Sequence, residues 1–277
     1  MSGSTAGWQP TTIRRFVRAL PTSARTVLVE TDLGKGYLKA IGGPEGPHTL
    51  ACEWVGTQLA KWFGLATLDF ALVHLTEEDD LPFADGGHAE RGPAFITRAE
   101  SGEPWGGDPR QLKGLANPED ISRLVVFDTW TLNCDRHSEP PEGRVGRNRV
   151  NQANVFLSEE APARQLLLKA IDHTHCFTCG RPLTRALRFV DRIKDRRVFG
   201  LFPEFREFLS QDRVALAVRR LRQIDRATVG RMTQTIPREW DVNTDVQEAL
   251  VDLILSRAEF VADSIEARLW PQRELPF

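Results

Sequence analysis

Three short polar motifs, each next to an apolar run, constrain this chain most strongly. The first is residues 133–137 (NCDRH), which include Asp135; the second is Asn154, directly before the run VFL; the third is Asp172, at the end of the run LLLKAI. In phosphoryl transfer, one aspartate orients or deprotonates the acceptor hydroxyl, while an amide and a second carboxylate hold magnesium on the phosphates. The order of the motifs therefore predicts a phosphoryl-transfer site, with Asp135 at the acceptor and Asn154 and Asp172 as metal ligands.

The same motifs resemble the catalytic core of the HipA-like kinases, relatives of the protein and phosphatidylinositol kinases. The resemblance covers roughly residues 25–180 and implies an α+β class with a protein-kinase-like fold: a small β-rich N-lobe and a mostly helical C-lobe. It also implies ATP and Mg²⁺ as cofactors, and a serine or threonine hydroxyl of a protein as acceptor. Arg136 and His137 follow the aspartate as in many family members, so the resemblance places them with Asp135 in the catalytic loop, where we expect them to hold the loop or neutralise charge near it.

The position of the asparagine departs from the family pattern. The family places it five residues after the aspartate, where this chain has Pro140, so the asparagine must follow an insertion over residues 138–152. Asn148 and Asn151 are competing candidates for the same role. We prefer Asn154 because the strand-like run VFL follows it directly.

The insertion is rich in arginine, with Arg144, Arg147 and Arg149. Its composition favours a mobile, solvated loop. Contact with a phosphorylated or acidic substrate is the alternative, because guanidinium groups bind such anions well. The insertion also leaves open a chain that binds nucleotide as a scaffold and has lost catalysis.

A lysine and a glutamate near the N-terminus match the nucleotide side of such a site. Residues 25–30 and 36–41 predict two strands of a β-hairpin, and residues 50–65 have the spacing of an amphipathic helix. Lys39 lies in the second strand and Glu53 in the first turn of the helix, and the two resemble the ion pair of kinase N-lobes. On its own, a glutamate there is explained by the helix dipole.

Two further segments are assigned to nucleotide binding. Gly34 and Gly36, in and after the hairpin turn, would let backbone N–H groups approach phosphate oxygens. By resemblance, Ile96, Thr97 and Arg98 belong to the hinge whose backbone would bind the adenine. Neither segment carries a Walker-type or G-x-G-x-x-G motif.

Glycine and proline in residues 101–107 (SGEPWGG) predict a linker between lobes. The expected organisation is a flexible leader (1–12), an N-lobe (13–100), a hinge (101–110) and a C-lobe (111–277). Within the C-lobe we expect a helix that starts at Asn117 and ends near Asp135, a strand pair over 153–157 and 165–171, and helices from Pro182 onward.

Composition limits the other classes of protein. The formal net charge is −2, which argues against a nucleic-acid partner, and no antitoxin-like DNA-binding partner is indicated. We expect no membrane span because no apolar run approaches about 20 residues. Four cysteines are too few for a disulfide scaffold, so a cytoplasmic location is expected. A lipid head group or a small molecule remains an alternative acceptor.

Overall fold

Five antiparallel strands form the main sheet of the computed structural model, which describes residues 7–140, 146–162 and 165–271. The strands are β1 (Ile13–Ala19), β2 (Val27–Thr31), β3 (Gly34–Lys39), β4 (Phe70–Leu75) and β5 (Gly92–Arg98). Their order in space is β1-β2-β3-β5-β4. The predicted hairpin is confirmed as β2 and β3, and β5 lies between β3 and β4.

Strand β1 was not predicted from the sequence. Its register against β2 shifts between Ile13 and Arg15 and again between Phe16 and Arg18. Because such irregularities break the period-two alternation of side chains, the apolar pattern of β1 is hidden in the sequence.

The expected leader is attached to the sheet where the structure describes it. Within residues 7–12, the Thr11 backbone N–H donates to Asp32 Oδ1 at 3.0 Å, and the Trp8 indole donates to the Leu33 carbonyl at 3.0 Å. Residues 7–12 therefore pack against the β2–β3 turn. The rest of the leader, residues 1–6, lies outside the described residues.

Helix α1 (His48–Phe63) packs against the sheet and begins two residues earlier than predicted, which places Glu53 in its second turn. Its apolar residues join one large core with the C-terminal helices. A smaller core on the sheet includes Leu81 and Phe83 from the loop between β4 and β5. The two cores thus cover both faces of the sheet, and α1 connects one of these faces to the helical C-terminal part.

The C-terminal part is mostly helical. It contains α2 (Pro109–Lys113), α3 (Glu119–Thr131), α4 (Val190–Ile193), α5 (Gln211–Leu221), α6 (Arg226–Gln234) and α7 (Thr244–Leu269). The predicted helix from Asn117 is confirmed as α3, and α5 to α7 confirm the helical pattern after Pro182, although residues 182–210 contain only short helical turns. The buried Arg257 of α7 donates to the carbonyls of Thr129 and Trp130, and so holds the C-terminal end of α3.

Two small sheets connect the parts of the chain around the motifs. Their strands are β6 (Gly102–Pro104), β7 (His137–Ser138), β8 (Arg149–Val150), β9 (Val155–Ser158) and β10 (Leu167–Ala170). β9 pairs with β10 as predicted and also with β6, so a strand occupies part of the expected linker. β7 pairs with β8 and closes the base of the insertion. Among the described residues, no helix is both long and apolar enough to cross a bilayer.

Candidate active site

Lys39, Glu53 and Asp172 meet in one buried cluster. Lys39 Nζ lies 2.6 Å from Glu53 Oε2 and 3.0 Å from Asp172 Oδ1. The lysine comes from β3, the glutamate from α1, and the aspartate follows β10. The two predicted residues of the N-terminal part and one of the predicted metal ligands are therefore in direct contact.

The charges in this cluster support one another. Burial alone would lower the pKa of Lys39, but the carboxylates of Asp172 and Glu53 outweigh it and raise that pKa above its ordinary value. Burial would raise the pKa of Glu53, yet Lys39 and His173 hold it well below the usual range. The pKa of Asp172 is likewise lowered, because Lys39 and the hydrogen bond from Thr174 together outweigh burial and the repulsion from Glu53. All three groups are charged at neutral pH.

Glu53 also fixes the backbone next to Asp172. Its Oε1 accepts a hydrogen bond from the His173 backbone N–H at 3.1 Å, while Oε2 binds the lysine. Helix α1 can come this close because residue 56 is glycine: a Cβ there would lie 2.6 Å from His173 Cβ. One carboxylate thus orients both the lysine and the segment that carries Asp172.

Asp172 keeps one carboxylate oxygen available. Oδ1 accepts from Lys39 and from Thr174 Oγ1, the latter at 2.7 Å, whereas Oδ2 accepts no hydrogen bond from the described residues. The backbone at Asp172 is left-handed, with φ of 58°, a conformation that aspartate tolerates better than most residues. The turn presents a free carboxylate oxygen next to the lysine.

Asp135 is bound by two of the three candidate asparagines. Its Oδ2 accepts from Asn154 Nδ2 at 2.9 Å and from Asn151 Nδ2 at 3.0 Å, whereas Asn148 lies exposed in the insertion. The β7–β8 pairing explains how the insertion is accommodated, because it brings the chain back to Asp135. A carboxylate only accepts hydrogen bonds, so each amide turns its nitrogen to Asp135 and leaves its oxygen free.

Arg136 and His137, assigned above to the catalytic loop, are buried. Arg136 forms an ion pair with Asp128 at 2.7 Å and donates to the carbonyls of Asn154 and Ile171. It thereby holds the chain beside both predicted metal ligands, as expected of a residue that holds the loop.

His137 requires a correction. Its ring packs 5.3 Å from the ring of Phe202, and burial lowers its pKa. It lines neither of the two large cavities, so its position indicates a packing role rather than contact with a substrate.

A cavity of about 460 Å³, here called the Lys39 cavity, opens beside the buried cluster. Asn154 and Asp172 line it together with Lys39. Its apolar walls come from both parts of the chain; they are Leu20, Tyr37, Leu68, Phe95, Phe156 and Ile171.

The structure does not bring the two predicted glycines to the Lys39 cavity. Gly34 and Gly36 lie at the opposite end of β3 from Lys39, and neither lines the cavity. The loop between β1 and β2 lines it instead, through Leu20, Thr22 and Thr26. Sequence reasoning missed this loop because β1 was not recognised; the turn-forming residues Pro-Thr-Ser at 21–23 were the available signal.

The expected hinge also needs correction. Ile96, Thr97 and Arg98 belong to β5, whose backbone pairs with β3 on one side and β4 on the other, so it is not free to bind a base. Of the three residues, only Thr97 lines the cavity. Ile96 is buried in the smaller core on the sheet, and Arg98 forms ion pairs with surface carboxylates. Gly102 and Pro104, further along the chain, line the cavity.

The donor set fits magnesium. Mg²⁺ prefers hard oxygen ligands and is usually bound by one or two carboxylates together with substrate phosphates. Asp172 Oδ2 and the Asn154 amide oxygen are such ligands, and both residues line the same cavity. Within residues 7–140, 146–162 and 165–271, no group of three or more His, Cys, Asp or Glu side chains is arranged to hold a metal by itself.

The β-rich N-terminal part, the helical C-terminal part and the lysine–glutamate pair between them define a two-lobed, protein-kinase-like fold. A HipA-like kinase family model matches residues 33–270, and the chain belongs to this family. It is therefore a kinase.

A solved structure supports the fold. The chain is similar to the Helicobacter pylori proinflammatory kinase CtkA, with a TM-score of 0.55 over 94% of this chain and 98% of that one, at 13% sequence identity. No curated protein matches the chain.

Proposed function

We propose that this kinase transfers the γ-phosphoryl group of ATP, in a magnesium-dependent reaction, to a serine or threonine hydroxyl of a protein. The observation that carries the proposal is the contact of Lys39 with both Glu53 and Asp172 beside a cavity that Asn154 also lines. Kinases that act on proteins need this lysine–glutamate pair and a metal-binding aspartate in place together.

The Lys39 cavity is the proposed nucleotide site. Its apolar walls suit a purine base, and the loop between β1 and β2 would cover the phosphates. Residues 13–100 and 111–277 would act as the two lobes, with residues 101–110 as the hinge. Glu100, directly before this hinge, supports the proposal because its side chain accepts hydrogen bonds from Ser158 of β9 and Lys169 of β10. These bonds attach the end of the N-terminal part to the sheet that precedes Asp172.

Each polar residue of the site has a proposed role. Lys39 would bind phosphate oxygens, while Asp172 Oδ2 and the Asn154 amide oxygen would hold magnesium. Bound magnesium would neutralise charge on the phosphates. Glu53 keeps the lysine charged and correctly placed, and Arg136 positions both metal-ligand segments through their carbonyls.

Asp135 is proposed to orient the acceptor hydroxyl or to accept its proton. Two amide hydrogen bonds hold its Oδ2, and its other oxygen, Oδ1, accepts no hydrogen bond from the described residues. General-base assistance of this kind contributes about 10²- to 10⁴-fold to a rate.

The test is transfer of label from γ-labelled ATP to proteins of a cell lysate and to the kinase itself, followed by identification of the labelled amino acid. We expect labelled serine or threonine with the wild type, and no transfer with Asp135→Ala or Asp172→Ala. The exposed Asp212→Ala on α5 is the matched control and should transfer normally.

Three other results would contradict the proposal. Label in a lipid or a small molecule alone would assign a different acceptor. Stabilisation of the fold by MgATP without transfer to any acceptor would assign a scaffold. Transfer that persists in the Asp172→Ala variant would show that the residue roles are wrong.

A further inference from the structure

A second large cavity opens next to the loop that carries Asp135. It has a volume of about 700 Å³ and is here called the arginine groove. Cys134 and Ser138, on the two sides of Asp135 in the sequence, line it. Asn154, a hydrogen-bond partner of Asp135, lines the Lys39 cavity instead. Asp135 itself lines neither cavity, but its sequence neighbours line one and its hydrogen-bond partner lines the other.

The groove has an excess of positive charge. Arg147, Arg149, Arg181 and Arg192 line it, and none of them has a carboxylate within 4.0 Å in the part of the chain that the structure describes. A fifth arginine, Arg197, is already neutralised by a two-point contact with Asp195.

These four arginines, of which Arg192 also donates to the Phe177 carbonyl at 2.8 Å, come from two segments of the chain. Arg147 and Arg149 belong to the insertion, and the β7–β8 ladder fixes the second of them beside Cys134, with Arg149 Nη1 3.5 Å from the sulfur. Arg181 and Arg192 follow the segment that carries Asp172. Both pairs line the groove together with Cys134, the residue before Asp135.

The rim of the groove is apolar on one side. Phe189 is 67% exposed and lines the groove, and its neighbour Val190 is 56% exposed. Glu139 and Asp191 also line the groove. An exposed aromatic ring beside the arginines suits a polypeptide side chain.

We propose that the arginine groove binds the acceptor protein through an anionic side chain, acidic or phosphorylated, close to the hydroxyl that receives the phosphoryl group. This inference rests on the proposed function for its biological meaning. Guanidinium groups bind carboxylate and phosphate oxygens with charge-assisted, often two-point hydrogen bonds, so either anion fits the same groups.

The experiment measures binding by fluorescence anisotropy, without nucleotide. The probes are four labelled molecules: a serine peptide flanked by glutamates, the same peptide flanked by phosphoserines, its lysine-flanked counterpart, and a single-stranded RNA of the same length. Each is titrated with wild type, with Arg149→Gln/Arg181→Gln, and with Arg213→Gln, an exposed arginine on α5 outside the groove.

We expect the glutamate or phosphoserine peptide to bind at least tenfold more tightly than the lysine peptide. The double variant should reduce that binding about tenfold, because it removes two charge-assisted contacts, whereas Arg213→Gln should leave it unchanged. Because a phosphoserine carries nearly twice the charge of a glutamate, these two peptides are compared at equal net charge. A clear preference for phosphoserine at equal charge would identify phosphate as the anion, and equal binding would identify charge alone.

Four results would overturn the inference. The lysine peptide could bind as tightly as the anionic peptides, or neither anionic peptide could bind at all. The groove variant and the Arg213→Gln control could lose the same affinity for the anionic peptides, or the RNA could bind more tightly than these peptides. Its failure is distinguishable from failure of the proposed function. Binding of the anionic peptides by a protein that transfers no phosphate to serine or threonine would refute only the proposed function. Transfer of phosphate to proteins, together with equal binding of the anionic and lysine peptides, would refute only the role proposed for the arginine groove.

Discussion

Lys39 Nζ lies 3.0 Å from Asp172 Oδ1, although 133 positions of the sequence separate the two residues. The contact joins the sheet of the N-terminal part to the end of β10. Because Glu53 holds both the lysine and the backbone after Asp172, the position of one side of the site depends on the other. This coupling leads to the first prediction.

Lys39→Met should change the pH dependence of stability. In the wild type the folded pKa of Glu53 lies below its unfolded value of 4.5, so its stabilisation is complete above pH 4.5 and is lost as the pH falls further. Without the ammonium group, burial raises the folded pKa above the unfolded one. Charged Glu53 then destabilises the variant, which should gain stability relative to wild type as the pH falls from 7 to 5.

The measurement is urea unfolding of both proteins at pH 7 and pH 5. We expect a loss of about 3 kcal/mol at pH 7, typical of a buried pair that loses one partner, and a smaller loss at pH 5. Lys113→Met, at an exposed lysine of α2, is the control and should show little change at either pH. A loss that is the same at both pH values would show that Glu53 is not held by Lys39.

Asp172→Asn and Asp135→Asn should separate binding from turnover. The first removes a magnesium ligand and should weaken binding of MgATP more than binding of ATP without metal. The second should leave both affinities close to wild type and reduce turnover by about 10²- to 10⁴-fold. Titration calorimetry with and without magnesium, together with initial rates, measures both effects, and identical behaviour of the two variants would contradict the roles.

The two asparagines that bind Asp135 should also differ. Only Asn154 lines the Lys39 cavity, so Asn154→Ala should raise the magnesium concentration needed for half-maximal activity. Asn151→Ala should lower turnover at saturating magnesium, because it loosens Asp135 alone. Activity is measured as a function of free magnesium, and the reverse pattern would make Asn151 the ligand.

Arg136→Met should destabilise the protein by about 3–5 kcal/mol, because it leaves the fully buried Asp128 without its cation. The double variant Asp128→Leu/Arg136→Met should recover part of this loss, since both charges are then absent. Urea unfolding measures the three proteins. A single variant as stable as wild type would mean that Arg136 does not support the loop.

Local sequence patterns predicted the parts of the site that depend on short-range order. The alternation in residues 36–41 and the helical spacing of residues 50–65 placed Lys39 and Glu53 on adjacent elements, and the structure brings their side chains to 2.6 Å. The apolar runs after Asn154 and before Asp172 likewise predicted the strand pair β9 and β10.

The errors concern sheet neighbours and irregular strands. The segment 96–98 reads as a strand end next to a linker, and only the position of β5 between β3 and β4 shows that its backbone is already paired. The loop between β1 and β2 was overlooked because the bulges in β1 conceal its alternation. The burial of His137 depends on contact with Phe202, which lies 65 residues further along the chain.

The sequence by itself determined the order of the chemical groups and the type of element that carries each of them, because side-chain periodicity and turn residues act over a few positions. Tertiary structure alone decided which groups meet. Packing between distant segments brings Glu53 to the His173 backbone and two amides to Asp135, and it gathers the arginines that line the groove with Cys134. Such contacts depend on how elements pack in space, which local periodicity does not encode.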